Sequence, residues 1–176
     1  MARAISEALV SIGISVIAGL AAGIDTAAHE AALAKGGRTI AVIGTGINRH
    51  YPAANRRLQD TIAQRGLLLS QFWPDAPPQQ HNFPMRNAVM SGYGIATVVV
   101  EADERSGARI QARMAVHHGR PVILTDMAVE ATQWAKELTG RPDVRVASSL
   151  DDVVTVVREL VDRPAQLGSL LQQIAV

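Results

Sequence analysis

Residues 96–124 read A-T-V-V-V-E-A-D-E-R-S-G-A-R-I-Q-A-R-M-A-V-H-H-G-R-P-V-I-L, and the order of those residues decides the fold class. Thr97, Val98, Val99 and Val100 form a β-branched apolar run without alternation, the pattern of a strand covered on both faces in a parallel sheet. An acidic-to-basic loop, Glu101 to Arg105, follows it. Ser106-Gly107 then opens a helix, because a Ser hydroxyl accepts from the orphan amides of a first turn. Arg109 and Arg113 fall four residues apart and share a face of that helix. Gly119 ends it, and residues 121–124 start a second apolar strand. Open sheets of this kind bind ligands at the carboxyl ends of their strands, where glycine turns lead into helix N-termini that attract anions. The candidate site is therefore placed at that edge.

Working outward, the same alternation extends in both directions. Residues 2–12 carry Ile5, Ala8, Leu9 and Ile12 at helical spacing, and residues 14–18 read as a strand. The turn G-L-A-A-G-I (19–24) follows, with Asp25 or Thr26 placed to cap a helix reaching residue 35. Residues 39–43 predict a strand, 44–54 a loop holding Gly44, Gly46 and Tyr51-Pro52, and Asn55 caps a helix to residue 65. After a short strand at 67–70 comes the longest irregular segment, residues 71–83, whose length and prolines point to function. Pro84 suits a first helical turn, which puts Arg86 and Asn87 at a helix N-terminus. Beyond the central segment, a helix is predicted over 129–138, a strand over 144–146, and a helix over 149–161 capped by Ser149. Pro164 predicts a break, leaving Leu167, Leu170, Leu171 and Ile174 on an amphipathic tail.

These elements predict a doubly wound, Rossmann-like α/β fold with three layers and a mostly parallel sheet. The domain spans 1–163 and the tail 164–176. Such a fold ordinarily begins with a strand and a glycine turn, yet Met1 already lies at the first helix, so the usual first strand is absent from this order.

Composition narrows the function classes. The chain has 176 residues, enough to bury a full core, and no cysteine, which excludes disulfides and thiolate metal sites. No apolar run approaches the roughly 20 residues of a bilayer span, and the N-terminus lacks signal-peptide order; the expectation is a cytoplasmic protein with no membrane contact. Net charge is only +1, but residues 38–120 hold ten Arg against five acidic residues. Arg suits phosphate through its planar fork, while a codon bias toward Arg with solvated side chains explains the count equally well.

Each candidate residue carries two readings. Gly19 and Gly23 permit a tight turn and can receive a phosphate. Asp25 serves as a helix cap, and His29 as a packing residue, since neither it nor His117-His118 has companions at metal spacing. Glu101 pairs with Arg86, Arg105 or a ribose hydroxyl. Arg86 and Asn87 have the best case as anion contacts, followed by Ser106 and Gly107. Arg109 and Arg113 are a solvated face or a phosphate stripe. With two Phe, two Tyr and two Trp, base stacking is not the main mode, and Tyr51, Phe83 and Trp73 are the available stackers.

The motifs G-L-A-A-G-I-D-T-A-A-H (19–29), T-I-A-V with Gly44 and Gly46, Tyr51-Pro52 with Asn55, Ser70, Phe83-Pro84 with Arg86-Asn87, and V-V-E-A (99–102) with Ser106-Gly107 together resemble the DprA (Smf) family over residues 4–125. That resemblance implies a non-enzymatic, cytoplasmic, homodimeric DNA-binding protein without cofactor or metal. It would hold single-stranded DNA at the carboxyl edge of the sheet and help load a RecA-type recombinase during DNA uptake and natural transformation (competence). Gly19, Gly23, Gly44, Gly46, Arg86, Asn87, Ser106, Gly107, Arg109 and Arg113 are its expected phosphate contacts, supported by Asp25, His29, Tyr51, Phe83 and Glu101. Some positions depart from the family pattern: Ala88 stands where a second Arg is usual, Gln71 where Glu is, and residues 108–111 replace a Ser-Leu-Ile-Thr-like run. Two alternatives stay open. One is a sensor of a nucleotide or ADP-ribose-like ligand. The other is a phosphoribohydrolase-type enzyme, disfavoured because its Pro-Gly-Gly-x-Gly-Thr-x-x-Glu motif is missing.

Overall fold

The computed structural model describes residues 1–174, with side-chain surroundings for residues 1–163. Strand and helix alternate as α1 (Ala2–Ser11), β1 (Val16–Ala18), α2 (Ile24–Ala34), β2 (Thr39–Val42), α3 (Arg56–Arg65), β3 (Leu67–Leu69), α4 (Asn82–Tyr93), β4 (Thr97–Val99), α5 (Gly107–His117), β5 (Val122–Thr125), α6 (Asp126–Ala131), α7 (Gln133–Leu138), β6 (Val144–Ala147) and α8 (Leu150–Ile174). All strand pairs are parallel, in two sheets ordered β1-β2-β3 and β4-β5-β6. The Rossmann-like α/β fold class read from the sequence is the one observed.

Apolar runs bury both faces of the second sheet. On one face Val99, Val122 and Leu124 pack with Ala112 and Ala115 of α5 and Trp134 of α7. On the other, Val100 and Ile123 pack with Ile5 and Leu9 of α1 and Val153 and Val157 of α8. In the first sheet, Ala41 and Ile43 meet Leu20, Leu33 and Ile62, which seats α2 and α3. Helices thus cover both sides, as a parallel sheet requires.

Among the described residues no strand pairing joins β1 to β4. These two strands instead border one cavity of about 510 Å3, whose lining includes Ile5 and Leu9 of α1 together with Arg86, Asn87, Ser106 and Gly107. Among the described residues no helix is long and apolar enough to cross a membrane.

Two expectations need correction. The helix expected over 129–138 is two helices, α6 and α7. Thr132 between them has extended backbone (φ −137, ψ 139), and its hydroxyl donates to the Ala128 carbonyl at 2.9 Å, so the first helix stops there. The break expected at Pro164 is absent, because α8 runs on to Ile174. Proline forfeits one N–H donor there, and the backbone on either side stays helical. The side chains of Leu167, Leu170, Leu171 and Ile174 lie outside the described residues.

Candidate nucleic-acid interface

The turn after β1 is the most constrained loop at the carboxyl edge. Leu20, fully buried, adopts φ 62, a left-handed conformation that a branched side chain rarely takes. Side chains from elsewhere hold it. Asp25 Oδ2 accepts from the amides of Gly19 (3.0 Å) and Ala21 (3.1 Å), and Asn55 Nδ2 donates to the Leu20 carbonyl (3.0 Å) and the Thr26 hydroxyl (2.8 Å). Asp25 therefore does not cap α2. Its carboxylate turns back onto the loop, and the Gly19 amide it occupies is not open to an anion. Asn55 likewise makes no cap bond on α3 and reaches across to this loop instead. Gly23 is the N-cap of α2 at φ 90, a position open only to glycine, and no side chain satisfies the first turn behind it. The exposed amides at that helix start are the part of the turn that remains available.

Arg86 lies in the second turn of α4, not at its N-terminus, because α4 already begins at Asn82. It is 6% exposed. Its Nη1 donates to the Gly19 carbonyl and to the Val42 carbonyl (2.9 Å), and its Nε donates to Asn87 Oδ1 (3.0 Å). The guanidinium thus closes the carbonyl ends of β1 and β2, with the Phe83 ring 6.0 Å away. Burial lowers its pKa from the ordinary guanidinium value, and nearby Asp25 opposes that. Arg86 still lines the cavity, so it presents charge from within rather than from the surface.

Asn87 reaches toward α5, donating to the Gly107 carbonyl at 3.4 Å. Ser106 caps α5 through a bond from the Ala108 amide (3.0 Å). Arg86, Asn87, Ser106 and Gly107 consequently line one cavity with Asp25 and Glu101. Glu101 is exposed and pairs with neither Arg86 nor Arg105, so both pairings read from the sequence are absent. Arg109 and Arg113 are exposed on α5, and their side chains have no ion-pair partner among the described residues.

The remaining predicted residues belong to a second group. A Cβ at Gly44 would press on the Phe83 ring, and one at Gly46 would collide with the backbone of Trp73 and Pro74. The Gly46 amide already donates to Ala76 at 2.9 Å. Both glycines are explained by close packing of the 73–76 loop, not by an open anion cradle. Tyr51 packs on Phe83 with ring centres 5.5 Å apart, while Trp73 stands 86% exposed on the long loop. His29 is completely buried and is no ligand. Its Nδ1 lies 2.7 Å from the Thr39 hydroxyl, and that hydroxyl lies 3.2 Å from the Val16 carbonyl. Nε2 has no partner. Burial pushes its pKa down to about 4; Asp25 opposes the shift and Arg86 adds to it.

Asn55 and Asn82 were the residues whose roles the sequence concealed. Asn82 Nδ2 donates to the Gly44 carbonyl at 3.0 Å, the counterpart for β2 of what Asn55 does for β1. A side-chain amide that bonds a carbonyl 38 residues away leaves no periodic signal in the chain.

Residues 1–158 match the family model described as DNA recombination-mediator protein A. The chain belongs to that family. It is 47% identical over 121 residues to Protein Smf of Synechocystis, covering 69% of this chain and 30% of the relative. The X-ray structure of DNA processing protein A from Streptococcus pneumoniae superposes with TM-score 0.73 at 38% identity, over 87% of this chain and 56% of that one. DNA processing protein A from Helicobacter pylori, described for its single-stranded DNA binding mode, shares the fold at TM-score 0.78 and 24% identity, over 90% of this chain and 72% of that one. The chain spans less than half the length of the curated relatives it matches.

Proposed function

We propose that this domain is a non-catalytic recombination mediator that holds single-stranded DNA by its phosphates along the carboxyl rim. The observation that carries the reading is the convergence of Arg86, Asn87, Ser106 and Gly107 on one cavity, with two unpaired surface arginines, Arg109 and Arg113, on the helix that Ser106 caps. Phosphate recognition is sequence-independent, and it needs cations and open amides arrayed along a rim more than it needs a deep polar pocket. The start of α2 behind Gly23 adds uncapped amides to the same side. In this reading the domain acts as a homodimer and passes its strand to a RecA-type recombinase. Family membership and the Helicobacter relative's described binding mode support the DNA-holding part of this reading.

Affinity for an oligo-dT strand should fall with salt at a log–log slope of roughly −0.7 per phosphate held. The double substitution Arg109→Ala with Arg113→Ala should make that slope shallower by about 1.4 if each guanidinium holds one phosphate, with the unfolding midpoint unchanged. A slope identical to that of the unaltered protein rejects the role of α5. Tight mononucleotide binding without oligomer binding would favour the small-ligand sensor instead.

A further inference from the structure

Trp73 is 86% exposed, more than any other large apolar residue among those described, yet the backbone beneath it is pinned. Residues 73–76 form a turn in which the Ala76 amide donates to the Trp73 carbonyl at 2.9 Å. The loop after β2 ties that turn down. The Gly46 amide donates to the Ala76 carbonyl and the Asn48 amide to the Pro74 carbonyl, both at 2.9 Å. Asn48 Nδ2 donates to Asp75 Oδ1 at 3.2 Å, and Arg49 Nε to the Asp75 carbonyl at 3.1 Å. Gly46 has no room for a Cβ against the Trp73 and Pro74 backbone, so the two loops fit without slack. A turn held in this way presents its indole at a fixed place on the surface.

Both loops leave the carboxyl ends of parallel strands, β2 and β3. Trp73 therefore stands on the same edge as Arg86, whose guanidinium bonds the Val42 carbonyl at the end of β2. Arg49 brings charge to the same turn. Its Nε bonds Asp75, but its Nη1 and Nη2 donate to nothing, and the side chain has no ion-pair partner among the described residues. The Asp75 carboxylate on that turn is engaged by Asn48. An open aromatic plane and an anchored guanidinium on one rigid turn match the two halves of a nucleotide. Every unpaired base has a π face to stack, and its phosphate fits the planar fork of Arg. Duplex bases are already stacked on one another and offer the ring no free face, so the indole favours a single strand.

We infer that Trp73 and Arg49 form a nucleotide subsite on the rim, the indole stacking one unpaired base and the free guanidinium nitrogens holding a phosphate next to it. The inference rests on the proposed binding of single-stranded DNA and extends it. The strand passes the ends of β2 and β3 as well as that of β4, and one base is gripped within a mode otherwise led by phosphates.

The chain has two tryptophans, and Trp134 is 5% exposed, so Trp73 is the one a ligand can reach. Titrating the full chain with oligo-dT quenches indole emission as a base stacks on Trp73, and the quenching is lost in Trp73→Ala. That substitution weakens oligo-dT binding about tenfold, while Trp73→Phe keeps most of the affinity. Melting temperature and salt slope stay as they were. An abasic oligomer of the same length keeps the phosphates without the bases, and it binds Trp73→Ala and the unaltered protein equally. Arg49→Gln instead makes the salt slope shallower by about 0.7 on either oligomer. Oligo-dT binding with neither quenching nor a loss in Trp73→Ala overturns the subsite and leaves the DNA-binding reading standing. An equal loss on the abasic oligomer does the same, and an unchanged slope in Arg49→Gln overturns the phosphate half. No binding of either oligomer by the unaltered protein overturns both readings together.

Discussion

Arg86 and Gly19 are a single fitted unit. The glycine carbonyl receives the guanidinium, and a Cβ at Gly19 would fall on that guanidinium, so the residue pair has no slack. Gly19→Ala is expected to destabilise the protein by about 1–3 kcal/mol through overpacking, read as a lower urea midpoint at constant m-value. Replacing Arg86 also strips donors from two strand-end carbonyls, so loss of DNA binding in such a variant would not separate charge from structure. His29, behind the same turn, sets a pH dependence. Its folded pKa of about 4 lies below the ordinary 6.5, so the unfolded chain takes up the proton first. The neutral ring's contribution is complete above pH 6.5 and is lost as pH falls toward 4, by up to about 3 kcal/mol. Denaturation midpoints between pH 7 and 4.5 should show this decline, and His29→Asn should flatten it; equal slopes in both proteins would exclude His29 as the source.

Helix ends show which local signals hold. Ser149 was read as a cap, and its hydroxyl does accept from the Asp152 amide at 3.1 Å while Asp152 Oδ2 accepts from the Ser148 and Ser149 amides at 3.0 and 2.9 Å. Those bonds, the Ser149 hydroxyl first, hold the Asp152 carboxyl below its usual range. Ser149→Ala should lower stability by about 1 kcal/mol in equilibrium unfolding, and no change would mean that α8 is anchored by Val153 and Val157 alone. Ser106 caps α5 in the same way. Asp25 and Asn55 carry equally good cap chemistry, yet both side chains turn to the loop after β1. That loop holds Leu20 at φ 62, and the bonds stabilising such a conformation compete successfully with an exposed helix end.

Across the whole molecule, two parallel sheets share helical layers but no strand pairing. α1 ties them together by packing Val10 against Ala28 and Ala32 of α2 while Ile5 and Leu9 meet Val153 and Val157 of α8. A consequence follows for the unaltered chain. Amide exchange at Ile17 should be faster than at its neighbour Val16, and Val98 faster than Thr97, because Val16 and Thr97 donate toward a neighbouring strand and peptide groups alternate direction along a strand, which turns the next amide toward the cavity. Equal protection within each pair would mean that the cavity between β1 and β4 closes in solution.

The parallel α/β class and the position of every strand were legible in the chain, because β-branched runs, caps and glycine turns are local and periodic. The tertiary structure alone decided that Arg86 is buried against Gly19 and Val42, that Asp25 and Asn55 serve a loop, and that Gly44 and Gly46 accommodate residues 73–76. Each of those outcomes depends on a partner brought near by folding, and a hydrogen bond or a close approach across the fold has no period to read.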